Sequence, residues 1–225
     1  MEDLTVIFLT INKVPKAWAA YQLEVLKEAV GKAPVISVSR EAMDFGTNIQ
    51  QVAPFSASNI YLQMLRAARL ADTPYIAIAE DDVLYPLEHF HSYRPPLDAF
   101  AYNLVRWQLH TWGEPTFYWR VKLANYAMIA PRQLTIEALE ERFARWPDGM
   151  PEGRLGELGR YTVERRLKVS LRQSVQFQTT IGLVCLHHDY GLDPLERNHR
   201  KRRGMLRATE IPYWGRAEEI VRRFV

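Results

Sequence analysis

The chain has 225 residues, 48% of them hydrophobic and 12% aromatic, which predicts a globular fold with a sizeable core and excludes wholesale disorder. The formal net charge is only +3, and the single cysteine, Cys185, excludes an internal disulfide and favours a reducing compartment, by default the cytoplasm. No apolar run approaches the roughly 20 residues that span a bilayer, and the acidic start of the chain leads us to expect no secretory signal.

Two strand–helix units are predicted at the beginning of the chain. Residues 4–10 are apolar and β-branched, as in a strand that is buried on both faces. Apolar residues at helical spacing follow Pro15 and predict a helix over 14–29. Residues 35–38 are predicted to form a second short strand, and the polar stretch 39–55 an irregular binding loop.

A third predicted strand ends in three consecutive acids. A helix over 56–71, capped by Ser56 or Ser58, precedes the apolar strand 75–79, which is followed at once by Glu80-Asp81-Asp82. Alternating strands and helices of this kind predict a right-handed, mostly parallel α/β sheet. Ligands of such sheets bind at the carboxyl ends of the strands, where these acids lie.

The three carboxylates at the strand end need a partner of opposite charge, because each unpaired charge in a dry interior costs several kcal/mol. A divalent cation, Mg²⁺ or Mn²⁺, is the simplest partner, since both prefer oxygen ligands and share their coordination with substrate phosphates. A solvated acidic turn that caps the next helix is the alternative interpretation.

The second half of the chain predicts a mixed sheet followed by a basic tail. The expected elements are strands over 102–109, 116–120 and 126–130, a helix from Pro131, a loop with a short helix over 146–159, and a last strand over 180–186. Arginine dominates from Arg154 onward. This charge favours an anionic partner, whether a diphosphate, a nucleic acid or a membrane surface.

Four of these features together resemble the GT-A class of nucleotide-sugar-dependent glycosyltransferases. They are the opening strand with Thr10 and Asn12 at its end, the loop after Val38, the helix that starts at Ser58-Asn59, and the strand that closes on the acids. The acids look like the Asp-x-Asp motif of that class, with Glu80 in place of the first aspartate. The resemblance covers roughly residues 4–130.

The resemblance implies an α/β GT-A fold in a single domain and a metal-dependent transfer of a sugar from a nucleotide-sugar, with a UDP-sugar as the expected donor. Residues 1–100 would bind the nucleotide-sugar, residues 101–190 the acceptor, and 191–225 would form the basic tail. A bound Mn²⁺ or Mg²⁺ would neutralise the charge that develops on the departing diphosphate.

The same resemblance assigns roles to individual residues. Asp82 would bind the metal directly, while Glu80 and Asp81 hold metal-bound water or the ribose hydroxyls. The remaining nucleotide-binding candidates are polar residues near the strand ends: Thr10, Asn12, Ser39, Arg40, Asp44, Ser58 and Asn59. Ordinary loop polarity is the alternative explanation for that group.

The pair His187-His188 at the end of the last strand would complete the metal site by the same resemblance, since neutral imidazole suits Mn²⁺. Alternation along a strand leaves one of them facing the site, and His188 is favoured. A surface histidine is the alternative. Downstream basic residues would grip the diphosphate as a lid or, alternatively, form a solvated tail: Arg197, His199, Arg200 and Lys201.

An inverting transferase also needs a general base for the acceptor hydroxyl. Glu157 is the first candidate and Asp148 the second; a helix-surface acid and a turn residue are the respective alternatives. Trp112 is expected near the acceptor, because aromatic faces stack on sugar rings and bases. The acceptor itself stays open between a saccharide, a protein and a nucleic acid with a modified base.

Two other functions compete with this interpretation. A nucleotidyltransferase would also use acidic metal ligands, but the loop that follows the first strand lacks the glycines typical of that class. A basic nucleic-acid-binding module without catalysis would explain the arginines and leave the three acids without a purpose. The sequence does not predict an oligomeric state.

Overall fold

The computed structural model describes residues 3–54, 56–191 and 206–225, and only the backbone of Glu152. The described helices are α1 (Lys16–Val30), α2 (Ala57–Leu70), α3 (Leu87–His91), α4 (Arg132–Arg145), α5 (Tyr161–Leu167) and α6 (Ala217–Phe224). The described strands are β1 (Leu4–Leu9), β2 (Val35–Ser39), β3 (Thr47–Gln50), β4 (Tyr75–Glu80), β5 (Val83–Leu84), β6 (Ala99–Asn103), β7 (Arg106–His110), β8 (Phe117–Trp119), β9 (Met128–Pro131), β10 (Gln173–Phe177), β11 (Leu183–His187), β12 (Arg207–Ala208), β13 (Glu210–Ile211) and β14 (Gly215–Arg216).

Within the described residues, the larger sheet has seven strands in the order β10-β6-β9-β4-β1-β2-β3. The strands β3, β2, β1 and β4 are parallel neighbours, whereas β9 runs antiparallel between β4 and β6. Helices α2, α4 and α5 cover one face of this sheet, and α1 and α3 cover the other. Every residue of β1 is therefore buried, which explains its uninterrupted apolar sequence.

A second described sheet has the order β12-β8-β7-β11-β5 and packs with α1 and α6 around its own apolar cluster. Strand β5 begins at Val83, three residues after β4 ends at Glu80. The chain therefore passes from the first sheet to the second through Asp81-Asp82. Strand β11 pairs antiparallel with β5, which brings the end of β11 back to this crossing point.

The predicted fold class, α/β with a mixed central sheet and a Rossmann-like first half, is confirmed. Strands β1, β2 and β4 and helices α1 and α2 lie within a few residues of their predicted bounds. Ser56 is the residue that caps α2, since its hydroxyl accepts a hydrogen bond from the Asn59 amide at 3.1 Å. No helix of the described ranges is long and apolar enough to cross a membrane.

The prediction of an irregular loop over 39–55 is wrong in part, because the loop contains strand β3. Gly46 explains how the chain turns back toward β2: its φ is +69°, and a Cβ there would lie 2.2 Å from the Val35 carbonyl oxygen. Only glycine permits this approach. Asn48 then fixes the new strand by donating its amide to the Ser37 and Ser39 hydroxyls at 2.9 and 2.8 Å.

The single strand predicted over 102–109 is in fact two strands in different sheets. Strand β6 belongs to the first sheet and β7 to the second. Asn103 breaks the run, because its side-chain oxygen accepts a hydrogen bond from the Val105 amide at 2.9 Å and so turns the chain. The apolar residues on either side conceal this turn in the sequence.

The described part of the segment predicted as a basic tail, residues 206–225, is folded onto the molecule. Strand β12 pairs with β8, and α6 packs on α1. Helix α6 is amphipathic: Ile220, Val221 and Phe224 are buried while its arginines face outward. This arginine-rich sequence therefore also contains an apolar stripe, which completes the apolar cluster beside the second sheet.

Candidate active site

The acids Glu80-Asp81-Asp82 lie where the two sheets meet, and their peptide groups are held from behind. Gln22 on α1 donates its side-chain amide to the Glu80 carbonyl at 3.2 Å, and Trp18 donates its indole N–H to the Asp81 carbonyl at 2.8 Å. The Asp82 carbonyl accepts the Leu186 amide at 2.8 Å. All three carbonyls are bonded within the protein, so the backbone of the acidic turn is fixed while the carboxylates remain available to the cleft.

Parallel pairing of β1 with β4 explains why Thr10 reaches the acids. The register places Leu9 beside Glu80, so the next residues, Thr10 and Asp81, are neighbours at the carboxyl edge. The Thr10 hydroxyl donates to Asp81 Oδ2 at 2.5 Å. From β1 the chain continues to β2 on one side, and after α2 it returns to β4 on the other. This change of direction is the position where open α/β sheets bind ligands.

Asp82 and His188 form the second contact of the site. Antiparallel pairing of β11 with β5 brings His188 beside Asp82, with Nε2 of the ring 3.6 Å from Asp82 Oδ2. The other oxygen, Asp82 Oδ1, is buried and has no hydrogen-bond partner within the described parts of the chain. A buried carboxylate oxygen without a donor is destabilising unless a ligand or ion completes it.

The hydrogen bonds of His188 fix the position of its proton. Its Nδ1 accepts the Tyr190 amide at 3.1 Å, so a neutral ring carries its hydrogen on Nε2, toward Asp82. To coordinate a metal through Nε2, the ring would have to move this hydrogen to Nδ1 and give up the Tyr190 bond. His188 is therefore oriented with its Nε2–H toward Asp82, at 3.6 Å between Nε2 and Oδ2.

The crowding of acids changes their protonation. Burial, followed by the charges of Asp82 and Asp81, raises the pKa of Glu80 well above its ordinary value. Burial and Asp82 raise the pKa of Asp81 to about 7, although the Thr10 hydrogen bond acts in the opposite direction. Burial lowers the pKa of His188, but its contacts with Asp82 outweigh this and the net shift is upward. Within the described ranges of the chain, too little positive charge surrounds these groups to offset their burial.

The donor set at the site fits a hard divalent cation. Within the described residues no three His, Cys, Asp or Glu side chains are already gathered into a metal cluster. Asp82 nevertheless offers a buried oxygen that no described residue contacts by a hydrogen bond, next to Glu80 and Asp81. Mg²⁺ and Mn²⁺ sites that share phosphate oxygens with a substrate need only one or two protein carboxylates.

A cleft of about 780 Å³, including its open mouth, begins at these acids. One side is apolar, formed by Leu9, Ile11 and Val38 at the ends of β1 and β2. The opposite side, on α2 and the segment after β3, presents amides. Gln63 donates to Asn59 Oδ1 at 2.7 Å, and Asn59 donates to Gln51 Oε1 at 3.4 Å.

Of the residues predicted for the site, the cleft brings together six: Thr10, Asn59, Glu80, Asp81, Asp82 and His188. The pair of histidines is divided as alternation predicts, since the His187 ring packs on His110 at 5.1 Å between centroids. Arg200 and Lys201 lie outside the described residues, as do Arg197 and His199.

Four predicted nucleotide-binding residues have structural partners away from the cleft lining. Asn12, with φ +56°, accepts the amides of Arg40 and Glu41 at 2.8 and 3.0 Å and thereby joins the loops after β1 and β2. The Ser39 hydroxyl donates to the Glu41 carbonyl at 2.6 Å, and Arg40 donates to the Ala53 carbonyl at 2.8 Å. Ser58 accepts the Met150 amide at 3.1 Å.

Asp44 is exposed and also lies outside the cleft lining, as do the two predicted bases. The Glu157 carboxylate forms an ion pair with Arg160 at 3.0 Å, and its side chain is 13% exposed. Asp148 lies in the turn before Gly149, which has φ +105°. The turn interpretation of Asp148 thus has direct structural support.

Sequence reasoning missed several residues that shape the site. Gln22 is 1% exposed and Trp18 is fully buried; the two stand four residues apart on α1, so they share a face. The signal available in the sequence was a glutamine at helical spacing from a tryptophan. Other cleft residues without a predicted role are Lys13, Gln51, Gln63 and Tyr190.

No protein-family model matches the chain, and no curated protein matches its sequence. Among solved structures, it is similar to the mannosyltransferase PcManGT from Pyrobaculum calidifontis in complex with GDP-Man and Mn²⁺, at 14% identity and a TM-score of 0.46. The match covers 82% of this chain and 56% of that one, so the chain spans about half of that structure's length.

A second similar structure is the catalytic domain of Drosophila β1,4-galactosyltransferase 7 in complex with xylobiose, at 11% identity, covering 100% of this chain and 81% of that one, with a TM-score of 0.44. A third is a glycosyltransferase involved in the glycosylation of the major capsid of PBCV-1, at 12% identity and a TM-score of 0.43. That match covers 87% of this chain and 97% of the other. These likenesses concern the overall path of the chain.

Proposed function

We propose that this protein is a metal-dependent glycosyltransferase of the GT-A type, which transfers a sugar from a nucleotide-sugar to an acceptor hydroxyl. The observation that carries this proposal is the buried Oδ1 of Asp82, which has no hydrogen-bond partner among the described residues and is flanked by Glu80 and Asp81, whose pKa values are raised. A site that has oxygen ligands and excess negative charge, at the ligand-binding edge of an α/β sheet, suits a cation and a diphosphate.

The nucleoside of the donor fits the part of the cleft between β1, β2 and α2. A base can rest on the apolar side chains of Leu9 and Val38, while the amides of Gln51 and Asn59 face it with both donors and acceptors. The proposed donor is a UDP-sugar. Asp81, held by Thr10, would accept a hydrogen bond from the ribose.

The diphosphate of the donor fits at Asp82 and His188. Asp82 would hold Mn²⁺ or Mg²⁺, and a bound cation supplies neutralisation of the charge that builds up on the leaving diphosphate. His188 directs Nε2–H toward the same place, so its ring can donate a hydrogen bond to a phosphate oxygen without losing the Tyr190 contact. Coordination of the metal by His188 stays the competing role.

The acceptor would enter from the second half of the chain. Glu157 is the better candidate for the base, because its segment is fixed: Arg142 donates to the Gly156 and Glu157 carbonyls at 3.0 and 3.3 Å. The Tyr102 hydroxyl holds the Leu158 carbonyl at 2.7 Å. For catalysis, the ion pair of Glu157 with Arg160 would have to open toward the acceptor.

A thermal-shift experiment tests the proposal. We expect Mn²⁺ and UDP together to raise the melting temperature more than the sum of their separate effects, because each completes the binding site of the other. Ligand at a hundred times its dissociation constant stabilises by about 2.7 kcal/mol. In Asp82→Asn this joint stabilisation should disappear, and release of UDP from UDP-sugars should stop.

Asp72→Asn is the matched control, since Asp72 is an exposed acid in the turn between α2 and β4. The control should respond to Mn²⁺ and UDP as the unaltered protein does. Indifference of the unaltered protein to metal and to UDP, GDP and other nucleoside diphosphates would refute the proposal and favour a binding module without catalysis.

A further inference from the structure

A second concave feature lies on the outer side of α5, among residues that the proposed transfer does not use. Three guanidinium groups surround it, together with one phenol and one hydroxyl: Arg160, Tyr161, Thr162, Arg165 and Arg166. We call this feature the α5 depression. Among the side chains that the structure describes, its lining contains no aliphatic group and no carboxylate.

The inner side of α5 holds the helix firmly. Val163 and Leu167 are fully buried in the core beneath the first sheet. Glu164, 1% exposed, turns inward and accepts the amides of Gly159 and Arg172 at 2.9 and 2.6 Å. The one acid of this helix is therefore committed to the interior, and its charge does not reach the outer face.

Two arginines of the α5 depression are oriented by hydrogen bonds that use only some of their N–H donors. Arg165 donates to the Tyr161 hydroxyl at 3.2 Å, one turn away, and lies 5.5 Å from the centre of its ring. Arg166 donates to the Thr162 and Gly153 carbonyls at 3.1 and 3.3 Å. A guanidinium has five N–H donors, so most of them remain for an outside acceptor.

Charge and shape favour phosphate as the ligand. Guanidinium groups bind phosphate oxygens with two parallel hydrogen bonds, and here three of them face one concave surface. Glu157 is paired with Arg160 at 3.0 Å and is the one carboxylate in ion-pair contact with these arginines among the described residues. The half-exposed ring of Tyr161 adds a surface on which a nucleobase can stack.

The α5 depression also adjoins the proposed acceptor side. Three residues separate Tyr161 from Glu157, the proposed base. The charges of both Glu157 and Glu80 reach the Tyr61 hydroxyl and contribute to raising its pKa, which burial raises most, to about 12. Arg142, which donates to the Glu157 carbonyl, lies 5.4 Å from the centre of the Tyr61 ring, so the segment before α5 lies beside this part of α2.

We propose that the α5 depression binds the phosphate backbone of a nucleic acid, which is the acceptor class of the transferase. This inference rests on the proposed function. It assigns Arg165 and Arg166 the role of positioning the acceptor strand near Glu157, and it leaves donor binding to the cleft. Backbone contacts of this kind are electrostatic and independent of base sequence.

Fluorescence anisotropy with labelled duplex and single-stranded DNA, over a series of KCl concentrations, tests this. Loss of two phosphate contacts in Arg165→Gln/Arg166→Gln should make the negative slope of log K against log salt shallower by about 2 and weaken binding at least tenfold at low salt. Arg222→Gln/Arg223→Gln removes the same charge from the exposed face of α6 and should bind like the unaltered protein.

Equal binding by both double variants, equal loss in both, or absence of salt-dependent binding would overturn the inference. Binding to anionic phospholipid vesicles that depends on Arg165 and Arg166, without DNA binding, would overturn it in favour of a membrane. Stabilisation by Mn²⁺ and UDP, measured on the same preparations, separates the two proposals. If it persists while DNA binding fails, only the acceptor class is wrong.

Discussion

Asp81 shows at the scale of one residue how the fold maintains a charge in an unfavourable place. Its carboxylate accepts the Thr10 hydroxyl and its carbonyl accepts the Trp18 indole, so the residue cannot turn away from Asp82. Burial and the charge of Asp82, which raise the pKa of Asp81, are the physical causes of this conflict. Functional sites commonly retain such unfavourable pairs, because the ligand relieves them.

The raised pKa predicts how stability depends on pH. The folded protein binds the Asp81 proton with a pKa of about 7, whereas the unfolded chain does so near 3.8. The free energy of unfolding should therefore fall as pH rises from about 4 to about 7, by at most about 4 kcal/mol from this group. Urea denaturation in the presence of EDTA, repeated across this pH range, measures the decline.

Asp81→Asn should flatten that decline, since an amide oxygen can still accept the Thr10 hydrogen bond but does not titrate. Asp72→Asn serves again as the control and should leave the profile unchanged. A decline of equal size in the unaltered protein and in Asp81→Asn would show that Asp81 titrates normally and that another group, such as Glu80, causes the decline.

Residue-scale prediction from the sequence succeeded where the chain itself places side chains. Thr10 and the three acids end adjacent parallel strands, so their proximity follows from the strand pattern. Asn12, Ser39 and Arg40 also follow strand ends, but their polar groups are satisfied by each other and by nearby carbonyls. Local hydrogen bonding of this kind depends on loop conformation, which residue type alone does not specify.

At the element scale, α6 supports the site from behind. The Phe224 ring lies 4.9 Å from the His188 ring and 5.3 Å from that of Trp18, between centroids. Trp18 in turn holds the Asp81 carbonyl. One aromatic side chain thus packs against the residue that contacts Asp82 and against the residue that anchors Asp81.

Removal of this support should weaken metal binding. Phe224→Ala leaves His188 free to move, and we expect about a tenfold lower affinity for Mn²⁺ in the presence of UDP, the size of effect typical of residues behind a metal site. Electron paramagnetic resonance of free Mn²⁺ measures the affinity directly. Phe224→Leu, which keeps more of the packing, should recover most of it.

Ile220→Ala is the matched control, because Ile220 lies on the same buried face of α6, and the change also removes buried apolar volume. It should lower the melting temperature while leaving the Mn²⁺ affinity nearly unchanged. If Ile220→Ala and Phe224→Ala weaken Mn²⁺ binding equally, the effect of Phe224 is one of general stability and not of position.

Elements with a strong apolar pattern were predictable from the sequence. Elements that form because they pair or pack with another part of the fold were not. Strands β1 and β4 are continuous apolar runs, so their sequence alone indicates burial. Strand β3 is polar and only partly buried, and it exists because Gly46 lets the chain lie along β2. The role of α6 depends on a groove formed by α1 and the second sheet, which no local pattern reveals.

At the scale of the whole molecule, the site is a junction between two sheets. The acids follow strand β4 of the first sheet, and strands β5 and β11 belong to the second sheet. Side chains of α1 donate hydrogen bonds to the backbone of the turn that connects the two sheets. The sequence predicted one mixed sheet and therefore placed the acids at its edge. The presence of a second sheet explains why His188, a hundred residues later, meets Asp82.

A crystal grown with Mn²⁺ and UDP, with data collected at a wavelength where manganese scatters anomalously, tests the central claim most directly. We predict one strong anomalous peak within coordination distance of an Asp82 carboxylate oxygen and of the UDP phosphates, with the uracil between Val38 and Asn59. UDP bound elsewhere, or an acidic turn without a peak when UDP is present, would contradict the account.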